Sequence, residues 1–301
     1  MNMKVDLCGV TLNNPVMTAS GTFGSGAEYA EFVDLNKLGA VVTKGVANVP
    51  WPGNPTPRVA EVYGGMLNAV GLQNPGIDLF VERDIPFLKQ FDTKIMVNVC
   101  GHSTEEYIEV VERLRDQPVD LLEINISCPN VKEGGIAFGQ DPKAVEAITK
   151  EMKKHAAQPV IMKLSPNVTD ITEMARAAEA GGADGLSLIN TITGKKIDIN
   201  RQKFVLANKT GGMSGPAIHP VAVRMVYQTA QAVKLPIVGM GGIMNAEDAI
   251  EMILAGATAV SVGTANFTNP HVTEEIVAGI KDYMERYQVA DIKDLVGAVH
   301  E

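Results

Sequence analysis

The chain has 301 residues, 46% of them hydrophobic and 20% charged, and a formal net charge of −9. This is the balance of a water-soluble protein with a sizeable core, and the length suits one α/β barrel domain over residues 1–301. The net charge argues against nucleic-acid partners. No apolar run approaches the roughly 20 residues of a membrane span. Cys8, Cys100 and Cys128 form no C-x-x-C pair, which argues against a metal or cluster site and suits a reducing cytoplasm.

Residues 1–13 lack an apolar signal-like core and read as a short hairpin closing a barrel floor, with Cys8 as a structural thiol. The first strand-like run is Val16-Met17-Thr18-Ala19. The second, Ala40 to Lys44, finishes on Thr43-Lys44 and leads into a stretch rich in Pro, Gly and Asn at 46–75. The third, Ile95 to Val99, carries Asn98 at its end, and Cys100 beside Gly101 again reads as structural. An amphipathic helix follows over Glu105–Leu114, with Ile108, Val111 and Leu114 on its apolar face.

The fourth run, Leu121 to Ile126, reaches Asn125 and is followed by Cys128-Pro129 and the glycines 134, 135 and 139. This pattern predicts a lid over 129–140. The fifth, Val160 to Leu164, ends on Lys163. Asp170, with Glu173 three residues on, predicts a capping box. The sixth, Gly185 to Ile189, ends on Asn190-Thr191 and opens an irregular segment at 191–215. The seventh, Ile237 to Met240, is closed by Gly241-Gly242, with a helix start at Asn245. The eighth, Ala259 to Val262, is closed by Gly263-Thr264.

Eight continuous apolar runs alternating with helices predict a (β/α)₈ TIM barrel, with the N-terminal hairpin and inserted loops on the C-terminal face. A doubly wound open sheet is the second architecture. Buried strands that finish in Lys and Asn point to a polar ligand at the barrel mouth. Glycine turns after the last two strands suit a phosphate. Lys44 and Lys163 are suited to an anion, an electron-rich ring or a Schiff base. On this reading Cys128 is either a packed thiol or a working acid–base group.

"NAVGLQNPG" (68–76), "NISCPN" (125–130), "SLINT" (187–191), "GGMSGPA" (211–217), "GMGGI" (239–243) and "VSVGTANF" (260–267) together resemble the dihydroorotate dehydrogenases, from about Val5 to past Phe267. "VVTKGV" (41–46), "PGNPTPR" (52–58) and "GLQNPG" (71–76) look like the class 1 B type. Class 2 enzymes have an N-terminal hydrophobic extension and serine as the base, where this chain has Cys128.

The resemblance implies oxidation of dihydroorotate to orotate in pyrimidine biosynthesis, with the C5 proton passing to Cys128 and the C6 hydride to FMN. It implies FMN phosphate on Gly215, Gly241, Gly242, Gly263 and Thr264. Ser20, Lys44, Gly45, Asn98, Asn125, Lys163 and Ile189 would surround the rest of the flavin. Substrate would be held by Lys44, Asn68, Ala69, Val70, Gly71, Leu72, Asn125, Asn190 and Thr191. It further implies a homodimer core in a heterotetramer, whose partner subunit carries FAD and a [2Fe-2S] cluster and passes electrons to NAD. Related FMN barrels that act on dihydropyrimidines or on tRNA dihydrouridine are the nearest alternatives. A flavin-free lyase using Lys163 and a silent scaffold are further ones.

Overall fold

The computed structural model describes residues 1–126, 132–133 and 136–300. Cys128 and part of the expected lid at 129–140 lie outside the described residues. Eight parallel strands close into a barrel: β1 Val16–Thr18, β2 Ala40–Val42, β3 Lys94–Val99, β4 Leu121–Asn125, β5 Val160–Lys163, β6 Gly185–Leu188, β7 Ile237–Met240 and β8 Ala259–Val262. Each pairs with its neighbour in sequence, and β8 returns to β1 through Val260 opposite Val16. That last ladder excludes the open sheet. Every strand residue except Lys94 is buried, which accounts for runs that are largely apolar rather than alternating.

The outer layer includes α1 Thr104–Leu114, α2 Pro142–His155, α3 Ile171–Ala180, α4 His219–Ala232, α5 Ala246–Leu254 and α6 Val272–Arg286. On α1 the buried face is Tyr107, Val110, Val111 and Leu114, turned from the expected one because Ile108 is only half-buried. Asp170 caps α3 by accepting from the Thr172 N–H at 2.8 Å, so the cap closes one residue earlier than a capping box. A short Asp side chain reaches two residues on readily. Asn245 caps α5 through the Asp248 N–H at 3.0 Å.

The hairpin Val5–Leu7/Val10–Leu12 buries Leu7 and Leu12. The Cys8 sulfur lies 2.7 Å from where a Cβ on Gly185 would stand, which places the hairpin at the N-terminal end of β6, on the floor. At the opposite end the two irregular segments meet. Val59–Val62, Gly65–Asn68, Gly211–Ser214 and Ile192–Gly194 form one antiparallel sheet, with Gly212 opposite both Asn68 and Thr193.

Candidate active site

The strand ends and this sheet enclose a cavity of about 370 Å³, a size typical of a small-ligand site. Ser20, Lys44, Asn68, Ala69, Val70, Gly71, Leu72, Asn125, Lys163, Ile189, Asn190, Thr191, Gly241, Gly242, Gly263 and Thr264 all line it. Gly45, Asn98 and Gly215 are buried beside residues of that wall and do not line it.

Lys44 follows β2, and its main chain is anchored by the Lys44 N–H donating to Gly24 at 2.8 Å. Burial pushes its ammonium below the ordinary lysine range. Cys100 opposes this shift, and the Lys163 and Arg58 cations add to it. Asn125, at the end of β4, is 6% exposed and accepts from Asn190 Nδ2 at 3.3 Å. Its carbonyl accepts from the buried Tyr107 hydroxyl at 2.7 Å. Asn190 in turn accepts from the Thr191 N–H at 2.7 Å, and Asn167 Nδ2 donates to the Thr191 carbonyl at 3.0 Å. The amides therefore form a chain whose orientation is set before any ligand arrives.

The 68–72 loop is tied at both ends. Asn54 Nδ2 donates to the Ala69 carbonyl at 2.9 Å, and Asn74 Nδ2 to the Leu72 carbonyl at 2.7 Å. Gly71 and Leu72 both have positive φ, which fixes a tight turn toward the cavity.

At the other end, Gly241 and Gly242 have φ of +130° and +70°. A Cβ on Gly242 would lie 2.8 Å from the Gly215 carbonyl oxygen, so Gly215 buttresses the turn. Thr264 Oγ1 donates to Ser214 Oγ at 2.8 Å and joins the β8 turn to the covering sheet. Close-packed glycine backbone beside a cavity offers N–H groups to an anion such as a phosphate.

Beneath the cavity, Glu123 is 0% exposed. It accepts from Asn98 Nδ2 at 2.5 Å and Ser187 Oγ at 2.7 Å, and the Lys163 ammonium lies 3.5 Å away. Asn98 Oδ1 is buried with no hydrogen-bond partner among the described residues and lies 3.0 Å from where a Cβ on Gly45 would stand. An unpaired acceptor, two lysines and a glycine cradle fit a ligand that combines a polar ring with a phosphate, as FMN does.

Sequence reading passed over Glu123, Ser187, Ser214, Asn167 and His219. For Glu123 the signal was present, a lone acid inside an apolar strand. Ser187, a polar residue inside β6, gave a weaker signal of the same kind, and Ser214, Asn167 and His219 gave none. His219 packs behind the glycine turn, its Nε2 3.1 Å from Glu251 Oε2. Together with Asp248 these residues are the one metal-capable group found among the described residues.

The Dihydroorotate dehydrogenase family model matches residues 2–284 of this chain. The protein of Lachnoclostridium phytofermentans named dihydroorotate dehydrogenase B (NAD(+)), catalytic subunit, is 72% identical over 299 residues, 99% of this chain and 100% of that one. Its namesake from Alkaliphilus metalliredigens is 65% identical, covering 99% of each. The crystal structure of a DHODH from Eimeria tenella in complex with ferulenol superposes with a TM-score of 0.81, covering 99% of this chain and 88% of that one. At 22% identity this likeness speaks for the fold.

Proposed function

The chain belongs to the dihydroorotate dehydrogenase family, a flavin oxidoreductase that oxidises dihydroorotate in pyrimidine biosynthesis, and on that premise we propose how its residues divide the work. The observation that carries the proposal is the convergence of Lys44, Asn125, Lys163 and Asn190, from four different strand ends, on the wall of one cavity that also has a glycine cradle.

Lys44 holds the substrate carboxylate, since a half-buried ammonium at the cavity wall gains from a charged hydrogen bond to an anion. Asn68, Asn125 and Asn190, with the backbone from Ala69 to Leu72 and Thr191, meet the alternating carbonyl and N–H groups of the ring, because each amide both donates and accepts. Gly215, Gly241, Gly242, Gly263 and Thr264 hold the FMN phosphate, and Ser20, Gly45, Asn98, Lys163 and Ile189 surround the remainder. FMN, when bound, supplies the two-electron acceptor. Cys128 takes the C5 proton.

The relatives are named catalytic subunits, which supports reading this chain as one that works with an electron-transfer partner. FAD and [2Fe-2S] on that partner, a heterotetramer around a homodimer core, a cytoplasmic setting and a single domain over residues 1–301 belong to the same proposal. Among the described residues no helix is long and apolar enough to cross a membrane.

The test is direct. The purified protein is expected to be yellow and to be bleached by dihydroorotate without oxygen, releasing orotate. A colourless protein points to a lyase or scaffold, and bleaching by NADPH alone points to a reductase of dihydropyrimidines or dihydrouridine.

A further inference from the structure

Glu123 is a carboxylate that an apolar barrel strand does not need. It lies in the middle of β4, opposite Asn98 of β3 and Ile161 of β5 in the ladders. Three groups from three other strands converge on it: Asn98 Nδ2 at 2.5 Å, Ser187 Oγ at 2.7 Å and Lys163 Nζ at 3.5 Å. Lys163 and Ser187 are themselves register partners. A buried ion pair is weak evidence for stability, since apolar residues of equal volume commonly serve as well. The cluster is therefore better judged by what it does to Lys163, which is 5% exposed and also lines the cavity.

We propose that Glu123 is a positioning residue that fixes the Lys163 ammonium at the cavity wall, offsets part of its charge, and so sets the reduction potential of the flavin bound there. The proposal rests on the reading above that Lys163 borders the flavin ring. Taking up two electrons from dihydroorotate with one proton adds one negative charge to that ring. A cation at the wall therefore favours the reduced form, and raises the potential, in proportion to the field it projects into the cavity. An ammonium with a carboxylate 3.5 Å away projects the field of a pair rather than of a lone cation. Asn98 and Ser187 hold the carboxylate so that Lys163 returns to the same place in each turnover.

The experiment measures the midpoint potential of FMN in the loaded protein by equilibration with reference dyes. In Glu123→Gln, of nearly the same shape, the potential is expected to rise. The preference for reduced over oxidised flavin should grow about tenfold, about 30 mV for a two-electron couple. Glu123→Asp keeps the charge and loses a methylene, and is expected to stay nearer the native potential than Glu123→Gln. A purely structural carboxylate predicts the reverse order, because Gln fills the site and Asp does not.

An unchanged or lowered potential in Glu123→Gln, or a larger shift in Glu123→Asp, overturns the proposal. If Glu123→Gln does not load FMN, Ser187→Ala serves in its place. Removing that hydrogen bond leaves more of the carboxylate charge facing Lys163, so the potential should fall, and an unchanged or raised value overturns the proposal. If the unmodified protein takes up no FMN, the functional reading itself fails. Loading without the shift sinks the role of Glu123 alone.

Discussion

His219 donates through Nδ1 to the carbonyl of Gly241 at 2.8 Å. A carbonyl only accepts, so Nδ1 carries the hydrogen. In a trans peptide the N–H points opposite to the C=O. The anchor therefore turns the Gly242 N–H away from His219, and both Gly241 and Gly242 line the cavity. His219→Ala is expected to weaken FMN retention about tenfold, the worth of one partly buried hydrogen bond. Recovery of flavin fluorescence on dilution measures it. Unaltered retention means that the backbone alone sets the turn.

Gly242→Ala is expected to fail more severely. Its Cβ would stand 2.8 Å from the Gly215 oxygen and 2.9 Å from the His219 nitrogen, both backbone atoms, at a φ of +70°. A loss of about 1–3 kcal/mol in urea unfolding is anticipated, with empty protein on purification. Gly263→Ala is the control for stability. Its Cβ meets nothing nearer than the Ala19 Cβ at 3.4 Å, so the fold should hold.

Lys44 predicts a pH dependence. Its ammonium is held below the ordinary lysine value of 10.5, chiefly by burial. Between the lowered value and 10.5 the folded chain binds fewer protons than the unfolded one, so this group makes stability rise with pH across that window. An anionic ligand needs the proton back. Orotate affinity, followed by the flavin spectrum, should therefore fall as pH rises through the lowered pKa. In Lys44→Met it should be weaker by at least about tenfold and flat with pH, the loss expected for a charged hydrogen bond.

For Cys128 the expectation comes from its chemistry, an ordinary thiol ionising near about 8.5. Turnover should climb toward that pH. Rapid mixing of Cys128→Ala with dihydroorotate should show flavin reduction slowed by at least about a hundredfold, the usual scale of a lost general base. Reduction at the native rate would remove Cys128 from the mechanism.

Cys8 is predicted to be inert. Burial, then the Asp184 and Asp6 carboxylates, push its thiol from 9.0 up to about 12. Folded protein at pH 8 should leave Cys8 unalkylated. Above about pH 9 the unfolded chain loses a proton that the folded chain keeps, so stability should fall from there toward pH 12. Cys8→Ala should flatten that limb in chemical denaturation.

Much of this was legible one segment at a time. Strands buried on both faces are largely apolar rather than alternating, so eight such runs declare themselves, and polar residues at or near the ends of the second to sixth runs mark the barrel mouth. Lys44, Asn125, Lys163 and Asn190 were visible for that reason, and all four line the cavity. Asn98 was visible too, but it lies one layer lower, because β3 runs on to Val99.

The sequence by itself determined the number, order and apolar character of the strands, the helix caps and the residues at the mouth, since each depends on neighbours a few positions away. Only the tertiary structure decided that two irregular segments share one sheet, that Ser187 reaches Glu123 across 64 positions and that His219 anchors Gly241 across 22. Such pairings exist once the barrel has closed and its register has set which side chains face one another. No local pattern encodes a hydrogen bond whose two halves meet only through that closure.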